Sequence, residues 1–134
     1  MSAFGPKAAE VAGREPGEII LQAGFRLAGD EQQAIASARK WKATQLPEMY
    51  KDDLHDPAEM LRRADEQMSD EEFAHEGFLV GADAGEHVER IQRMRDVGAT
   101  VICLQLIGAD DALGSIRRYG DEVLPQLRGA RAGA

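Results

Sequence analysis

The sequence has one cysteine, few aromatic residues and no long apolar run. Because Cys103 has no second cysteine to pair with, no disulfide forms within the chain, and its apolar neighbours predict a buried core residue rather than a nucleophile. Aromatic residues make up 5% of the sequence, so we expect an aliphatic core, which is typical of parallel sheets. The apolar runs are shorter than the roughly 18 residues that span a bilayer, and the N-terminus lacks a signal pattern, so we expect a cytoplasmic location.

Positive charge is also scarce. The sequence has 16 Lys and Arg residues against 24 Asp and Glu residues, which gives a formal net charge of -8. An excess of negative charge repels nucleic-acid backbones and anionic lipid headgroups. We therefore expect neither nucleic acid nor a membrane surface as a partner.

The hydrophobic pattern predicts an α/β domain over residues 1–134. Strands are predicted at 18–25, 77–81 and 99–107, and the third is apolar enough to be covered on both faces. Helices are predicted at 6–13 and at 30–42, and Trp41 is expected to anchor the second of these to the sheet. Further helices are predicted from Asp56, from Ser69 and from Asp83 to about residue 97. A pair of helices is predicted over 113–128, with breaks at Gly120 and Pro125. The strand, helix, strand order from 77 to 107 predicts a βαβ unit with a right-handed crossover. With 134 residues, the chain is shorter than the roughly 250 residues of a complete eight-stranded α/β barrel.

Three acidic or hydroxyl residues are expected to begin helices. Asp56, Ser69 and Asp83 each precede a helical pattern and are followed three residues later by a glutamate, which predicts a capping box at each position. Asp30 is expected to cap the helix at 30–42 by itself.

The segment from Ser2 to Lys7 is the first candidate binding site. It consists of Ser2, Ala3, Phe4, Gly5, Pro6 and Lys7, and Pro6 is favoured in the first turn of a helix. Free backbone N–H groups and the helix dipole favour a phosphate there, and Gly5 would allow close approach. An ordinary Gly-Pro helix start explains the same residues equally simply.

A second cluster contains charged residues in a loop: Lys51, Asp52, Asp53, His55 and Asp56. Metal binding or acid/base catalysis would use such residue types, but Asp56 is already assigned as a helix cap and one histidine supplies a single strong ligand. We therefore expect carboxylates that face water and no metal site. His75, His87 and the arginines 90, 93 and 95 are likewise expected on the surface. Arg117 and Arg118 are also expected as surface charges, with an anion at a barrel mouth as the alternative.

The sequence has no dinucleotide-binding glycine fingerprint, phosphate-binding P-loop, G-x-S-x-G motif or paired-cysteine motif. No catalytic residue is assigned from motifs alone.

Several longer segments in order are more specific. They are AFGPKAAEVAG from Ala3, the run from Trp41 to Pro57 that includes DDLHDP, SDEEF from Ser69, GFLVGADAGEHVERI from Gly77, GATVICLQ from Gly98 and YGDEVLPQLR from Tyr119. Together they resemble the C-terminal half of luciferase-like monooxygenase-superfamily proteins, in the branch near the deazaflavin-dependent glucose-6-phosphate dehydrogenases.

The resemblance implies a partial TIM-like (β/α) barrel that comprises its C-terminal portion. It implies 8-hydroxy-5-deazaflavin (coenzyme F-420) as cofactor, with flavin mononucleotide as the alternative, and hydride transfer between a small organic substrate and C5 of the deazaflavin. The family's SAFGPK-like segment receives the cofactor phosphate, which assigns Ser2 to Lys7 to a partial cofactor site. Lys51 lies where the sugar-phosphate enzymes place a lysine on the substrate phosphate.

Departures from the family pattern shape the expectation. One βα unit is missing after Arg14, and an arginine expected near Leu113 and Gly114 is absent, which argues against glucose 6-phosphate as the substrate. The family's acid/base residues belong to its N-terminal half. We therefore expect a truncated or split oxidoreductase that is inactive alone and forms a homo-oligomer or pairs with a complementary N-terminal half. The alternative is a non-catalytic remnant that binds an anion or completes a barrel with a partner chain.

Overall fold

The computed structural model describes residues 9–13, 15–51, 53–108 and 110–132, with the side chains of 130–132 left aside. The described residues form three strands, β1 (Ile20–Leu27), β2 (Leu79–Gly81) and β3 (Val101–Leu106). They make one parallel sheet in the order β2-β1-β3. The prediction of a parallel α/β architecture is thus confirmed, and β1, the first strand in the sequence, occupies the centre.

Six α-helices follow β1 within the described residues, and residues 9–11 before it are also helical. They are α1 (Glu31–Arg39), α2 (Pro57–Gln67), α3 (Asp70–Gly77), α4 (Ala84–Asp96), α5 (Ala112–Arg118) and α6 (Leu124–Ala132). Residues Lys42–Gln45 and Pro47–Tyr50 form two 3-10 turns in the stretch that was expected to be irregular. The described helices are too short or too polar to cross a membrane.

The helix ends follow local sequence chemistry. Asp30 accepts a hydrogen bond from the Gln33 N–H at 2.9 Å, and Ser69 and Glu72 form a complete capping box. Asp56 and Asp83 also cap their helices, but no second hydrogen bond closes a box at either position. Glu59 instead pairs with Arg62 and Arg63 at 2.7 and 2.9 Å, so this predicted box is wrong because arginines one turn later compete for the carboxylate.

Two other helix ends differ from prediction. Helix α1 ends at Arg39, short of the predicted residue 42, and Trp41, the predicted anchor, lies beyond this end with 39% of its surface exposed. The predicted break at Gly120 and Pro125 is a π-helical segment, Tyr119–Val123, which joins α5 to α6. The Leu124 N–H donates to the Tyr119 carbonyl in this wider turn, and the chain stays helical through Pro125, the second residue of α6.

The sheet has two unlike faces. On the helix-covered face, Phe25, Leu27 and Leu79 pack under α4, the π-helical segment and α6, together with the half-buried Ile102, Leu104 and Leu106. On the other face, α1 and α3 cover Val80 and Ile107 at the carboxyl end. The remainder of this second face, which we call the open face, carries Ile20, Gln22, Val101, Cys103 and Gln105, all of them exposed.

Cys103 is therefore wrongly predicted as a core residue. Side chains alternate along a strand, so Cys103 points away from its neighbours Ile102 and Leu104 and lies on the open face. The same alternation makes the prediction that β3 is covered on both faces wrong for the described residues. Phe78 does reach the rim of this face, and Gly24 leaves room for it, because a Cβ at Gly24 would stand 2.5 Å from the ring.

Candidate functional site

The candidate site is the carboxyl edge of the sheet. In parallel α/β folds, ligands bind beyond the carboxyl ends of the strands, where the connecting loops meet. Here β1, β2 and β3 end at Leu27, Gly81 and Leu106. The residues that follow these three ends lead into α1, α4 and α5.

Arg118 joins two of these strand ends. Its guanidinium donates to the Ala28 carbonyl at 2.7 Å and to the Ala82 carbonyl at 3.1 Å, while Glu122 pairs with it at 2.9 Å. Glu122 and burial oppose each other, and the net effect is a raised pKa of Arg118, with the hydrogen bond to Glu122 as the main cause. The Ser115 hydroxyl donates to the Leu27 carbonyl at 2.8 Å. Arg118, expected to be a surface charge, is half-buried and holds main-chain carbonyls, whereas Arg117 is exposed as expected.

A buried polar pair lies beneath this edge. His87, 1% exposed, contacts the Tyr119 hydroxyl through Nδ1 at 2.5 Å, and the Tyr119 ring packs on Phe25. Burial, with Arg90 and Arg118 adding repulsion, lowers the pKa of His87 to about 4, and burial raises the pKa of Tyr119. His87 is therefore neutral at pH 7, and its predicted surface position is wrong. The periodicity of α4 contains the signal, because His87 is one turn before Ile91 on the buried side.

The most distinctive cation at this edge is Arg26, the penultimate residue of β1. Only 3% of its surface is exposed, and its guanidinium donates to the main-chain carbonyls of Asp110 and Asp111, the latter at 3.3 Å. Its Nε is buried without a hydrogen-bond partner among the described residues. A cavity of about 320 Å³ lies beside it, lined by Arg26, Gln33, Ala36, Ser37, Lys40, Asp110 and Asp111.

In contrast to the buried cation near the end of β1, acidic side chains lie at the end of β2. A Cβ at Gly81 would meet a carboxylate oxygen of Glu31 at 3.4 Å and one of Glu86 at 3.7 Å, with the His87 Nε2 also at 3.7 Å. His75 is exposed, as predicted, and its Nε2 lies 2.9 Å from Glu31. The edge is thus polar along its length, with acidic groups near β2 and the buried Arg26 between β1 and the loop after β3.

The predicted site residues are only partly within the described structure. Ser2, Ala3, Phe4, Gly5, Pro6 and Lys7 lie outside the described residues, as does Asp52. Lys51 is exposed at the end of the second 3-10 turn, and Asp53 pairs with the exposed His55. In the ranges 9–13, 15–51, 53–108 and 110–132, no three acidic, histidine or cysteine residues come together as metal ligands would.

Sequence reasoning missed a cluster of charges around Lys42. Lys42 is buried, and its ammonium lies 2.9 Å from both Asp65 and Asp70, which Arg39 also contacts. Lys42 and Arg39 lower the pKa of both aspartates. This cluster fastens the 3-10 turns to α2 and α3, and it depends on contacts between distant segments that no local pattern reveals.

Arg26 was missed for a different reason. The predicted strand stopped at Phe25, one residue short of it, although a charged residue between Phe25 and Leu27 in an apolar run is itself a signal. A buried charge in a strand requires partners and often marks a functional site.

Comparison with known proteins gives a consistent result. No protein-family model matches the chain. The chain is 34% identical over 115 residues to an F420-dependent glucose-6-phosphate dehydrogenase of Microbacterium testaceum, covering 86% of this chain and 33% of the relative. The corresponding enzyme of Intrasporangium calvum is 37% identical over 100 residues, covering 75% of this chain and 29% of the relative. An F420-dependent hydroxymycolic acid dehydrogenase of Mycobacterium tuberculosis is 31% identical over 121 residues, covering 90% and 31%.

A solved structure supports the fold. An F420-dependent secondary alcohol dehydrogenase, in complex with an F420-acetone adduct, matches with a TM-score of 0.71 at 22% identity, over 90% of this chain and 36% of that one. The partial luciferase-like TIM-barrel fold is thereby confirmed. The chain spans about a third of the length of the curated relatives it matches. By sequence and by fold, it belongs to the family of F420-dependent oxidoreductases.

Proposed function

We propose that this chain is the C-terminal portion of a deazaflavin-dependent dehydrogenase, with hydride transfer between a small organic substrate and the deazaflavin as its reaction. The observation that supports this is the similarity, at 31 to 37% identity, to relatives described as F420-dependent dehydrogenases with more than one substrate. The alternative of a non-catalytic remnant is not favoured by these relatives.

The described residues offer a polar lining to an oxygen-rich ligand at the carboxyl edge. The cavity beside Arg26 is lined by Gln33, Ser37, Lys40, Asp110 and Asp111. When bound, the deazaflavin would accept or supply the hydride at its C5. The chain's own residues would hold anionic groups and keep water from the covered end of the sheet.

The finer assignment rests on the resemblance. We propose that Ser2 to Lys7 bind the cofactor phosphate at the start of the helix predicted at 6–13. We also propose that Lys51 reaches the substrate from the loop after α1. The buried His87 serves no proton-transfer role in this proposal, because its ring is enclosed by protein and its lowered pKa, about 4, makes it a weak base.

The first test is turnover. We expect no deazaflavin reduction by the chain alone with secondary alcohols or sugar phosphates, because hydride transfer from an alcohol requires a positioned base. Adding the portion of a relative that precedes the aligned region should restore turnover, followed by deazaflavin absorbance. A robust rate without a partner would contradict the inactivity, and failure of the combined portions to bind deazaflavin would contradict the proposed function.

A second test addresses the cofactor segment. Gly5→Val should weaken deazaflavin binding by about tenfold or more in calorimetry, because a branched side chain crowds a phosphate at a helix N-terminus. Gly129→Val, an exposed position in α6, serves as the matched control and should bind as the wild type does. Equal affinities for all three proteins would remove Ser2 to Lys7 from the site.

A further inference from the structure

A groove between the first 3-10 turn, the end of α2 and α3 has no role in the proposed hydride transfer. It consists of two adjoining cavities of about 190 and 280 Å³, which share Gln45, Met68 and Phe73 as lining residues and which we call the Met68 groove. The second cavity extends to residues 76–78, which lead into the amino end of β2. The Met68 groove is therefore separate from the candidate site, which lies at the carboxyl ends of the strands.

The walls of the Met68 groove are largely apolar and are held in place by contacts within the chain. Phe73 is 7% exposed and packs edge-on against Phe78, with ring centroids 5.4 Å apart. Met68 is half-buried and lines both cavities, and its flexible thioether adapts to ligands of different shape. The Gln67 side chain donates to Glu48 at 2.7 Å, which ties the second 3-10 turn to α2. The groove is thus formed without a ligand and suits an apolar group.

The charges around the groove favour a cation. Lys42 contributes to the lining, but its ammonium lies 2.9 Å from both Asp65 and Asp70, so its charge is already balanced. Arg39 pairs with the same two aspartates, which leaves this cluster without net charge. Glu76 lines the second cavity with an exposed side chain, and it forms no ion pair within the described part of the chain. The net charge of -8 adds a long-range field that attracts cations.

We propose that the Met68 groove binds a primary ammonium ion that carries an aromatic group, with the aromatic ring against Met68 and Phe73 and the ammonium at the Glu76 carboxylate. Thioether and aromatic side chains make favourable contacts with a ring. Phe78 lines the same cavity as Glu76, and an aromatic face attracts the same positive charge. The site requires only the described fold, so it stands or falls independently of the proposed hydride transfer.

The test is a titration of the chain with 2-phenylethylamine, a cation at pH 7, followed by amide NMR shifts at Gln45, Met68 and Gly77. We expect saturable shifts with a dissociation constant on the order of 1 mM. The uncharged 2-phenylethanol, which has nearly the same shape, should bind about threefold to fivefold more weakly, and the anion 3-phenylpropionate more weakly still. The absence of saturable shifts up to about 20 mM amine, or equal affinities for the amine and the alcohol, would overturn the proposal.

Three variants locate the site. Glu76→Gln should bind the alcohol as the wild type does but lose the preference for the amine, because it removes the charge and keeps the shape. Glu71→Gln removes the same charge from an exposed position of α3 outside the groove lining, and it should keep the preference. Gln45→Trp, at the exposed position that lines both cavities, should weaken binding of the amine and the alcohol by about fivefold or more. If Glu76→Gln and Glu71→Gln change the preference equally, or Gln45→Trp binds the amine as the wild type does, the proposed site is wrong.

Discussion

The two faces of the sheet are built from the same strands and differ completely in environment. On the helix-covered face, Phe25, Leu27 and Leu79 are buried beneath α4 and α6. On the open face, Ile20 keeps 63% of its surface exposed and Val101 keeps 38%. The aliphatic character of a residue therefore does not determine its burial here, and the covering helices do.

The open face has the position of an inner wall. In a barrel, one face of each strand turns outward to the helices and the other is packed inside by side chains from further strands. The matched solved structure is a longer chain, of which this chain covers 36%. We expect the open face to gain its neighbours from additional strands, either in a longer barrel or in a second chain.

The largest expected effect on stability comes from a substitution on the helix-covered face. Leu27→Ala should lower the free energy of unfolding by about 2 to 5 kcal/mol, because Leu27 is 1% exposed and its removal leaves a cavity. Ile20→Ala, seven residues earlier on the open face, should cost less than about 0.5 kcal/mol. Urea unfolding of both variants measures the difference, and equal losses would show that the open face is packed as well as the covered one.

A second effect tests the polar pair within the covered face. The pKa of His87 is about 4 in the folded chain against 6.5 when solvated, so the unfolded state binds the proton more readily between these values. Stability is then fully present above pH 6.5 and falls as the pH drops toward 4, by about 2 kcal/mol between pH 7 and pH 5.

Urea unfolding at both pH values checks this, with His87→Gln as the comparison. The variant should lose markedly less stability than the wild type over this range. Asp65 and Asp70, whose carboxyl pKa values are lowered by Lys42 and Arg39, contribute mainly below pH 4 and so do not obscure the comparison. If the free energy of unfolding changes with pH in the same way in both proteins, His87 is not the group whose protonation destabilises the folded chain.

A substitution on the open face should have the smallest effect on stability and should change self-association instead. We expect the wild-type chain to self-associate at micromolar concentrations, because Ile20 and Val101 are paired in register and present exposed apolar side chains on the open face. Val101→Lys should reduce association and shift unfolding by less than about 0.5 kcal/mol. Size-exclusion chromatography with light scattering measures it. A wild-type chain that stays monomeric with one sharp melting transition would show that the described core is sufficient.

Local chemistry made part of this structure predictable. The caps at Asp30 and Ser69 and the three parallel strands depend on neighbouring residues and on aliphatic runs, and they were confirmed. Cys103 and His87 were misplaced because the exposure of each side chain depends on segments that are distant in sequence. The resemblance supplied the family, which the residues alone did not, while the predicted segment Ser2 to Lys7 lies outside the described residues and stays a prediction.

The central position of β1 also has a consequence for how the chain acquires its structure. Ile20 of β1 pairs with Val101 of β3, a partner 81 residues later in the sequence. The other neighbour of β1, strand β2, also lies far along the sequence. At synthesis rates of roughly 5–20 residues per second, β1 leaves the ribosome about 4 to 16 seconds before β3 exists. During that interval only the carboxyl end of β1 gains a partner, when β2 emerges, and Ile20 has none until β3 is made. We therefore expect folding to be slow, because the sheet is complete only after β3 emerges. In the cell, we expect other factors to shield the unpaired strand until then.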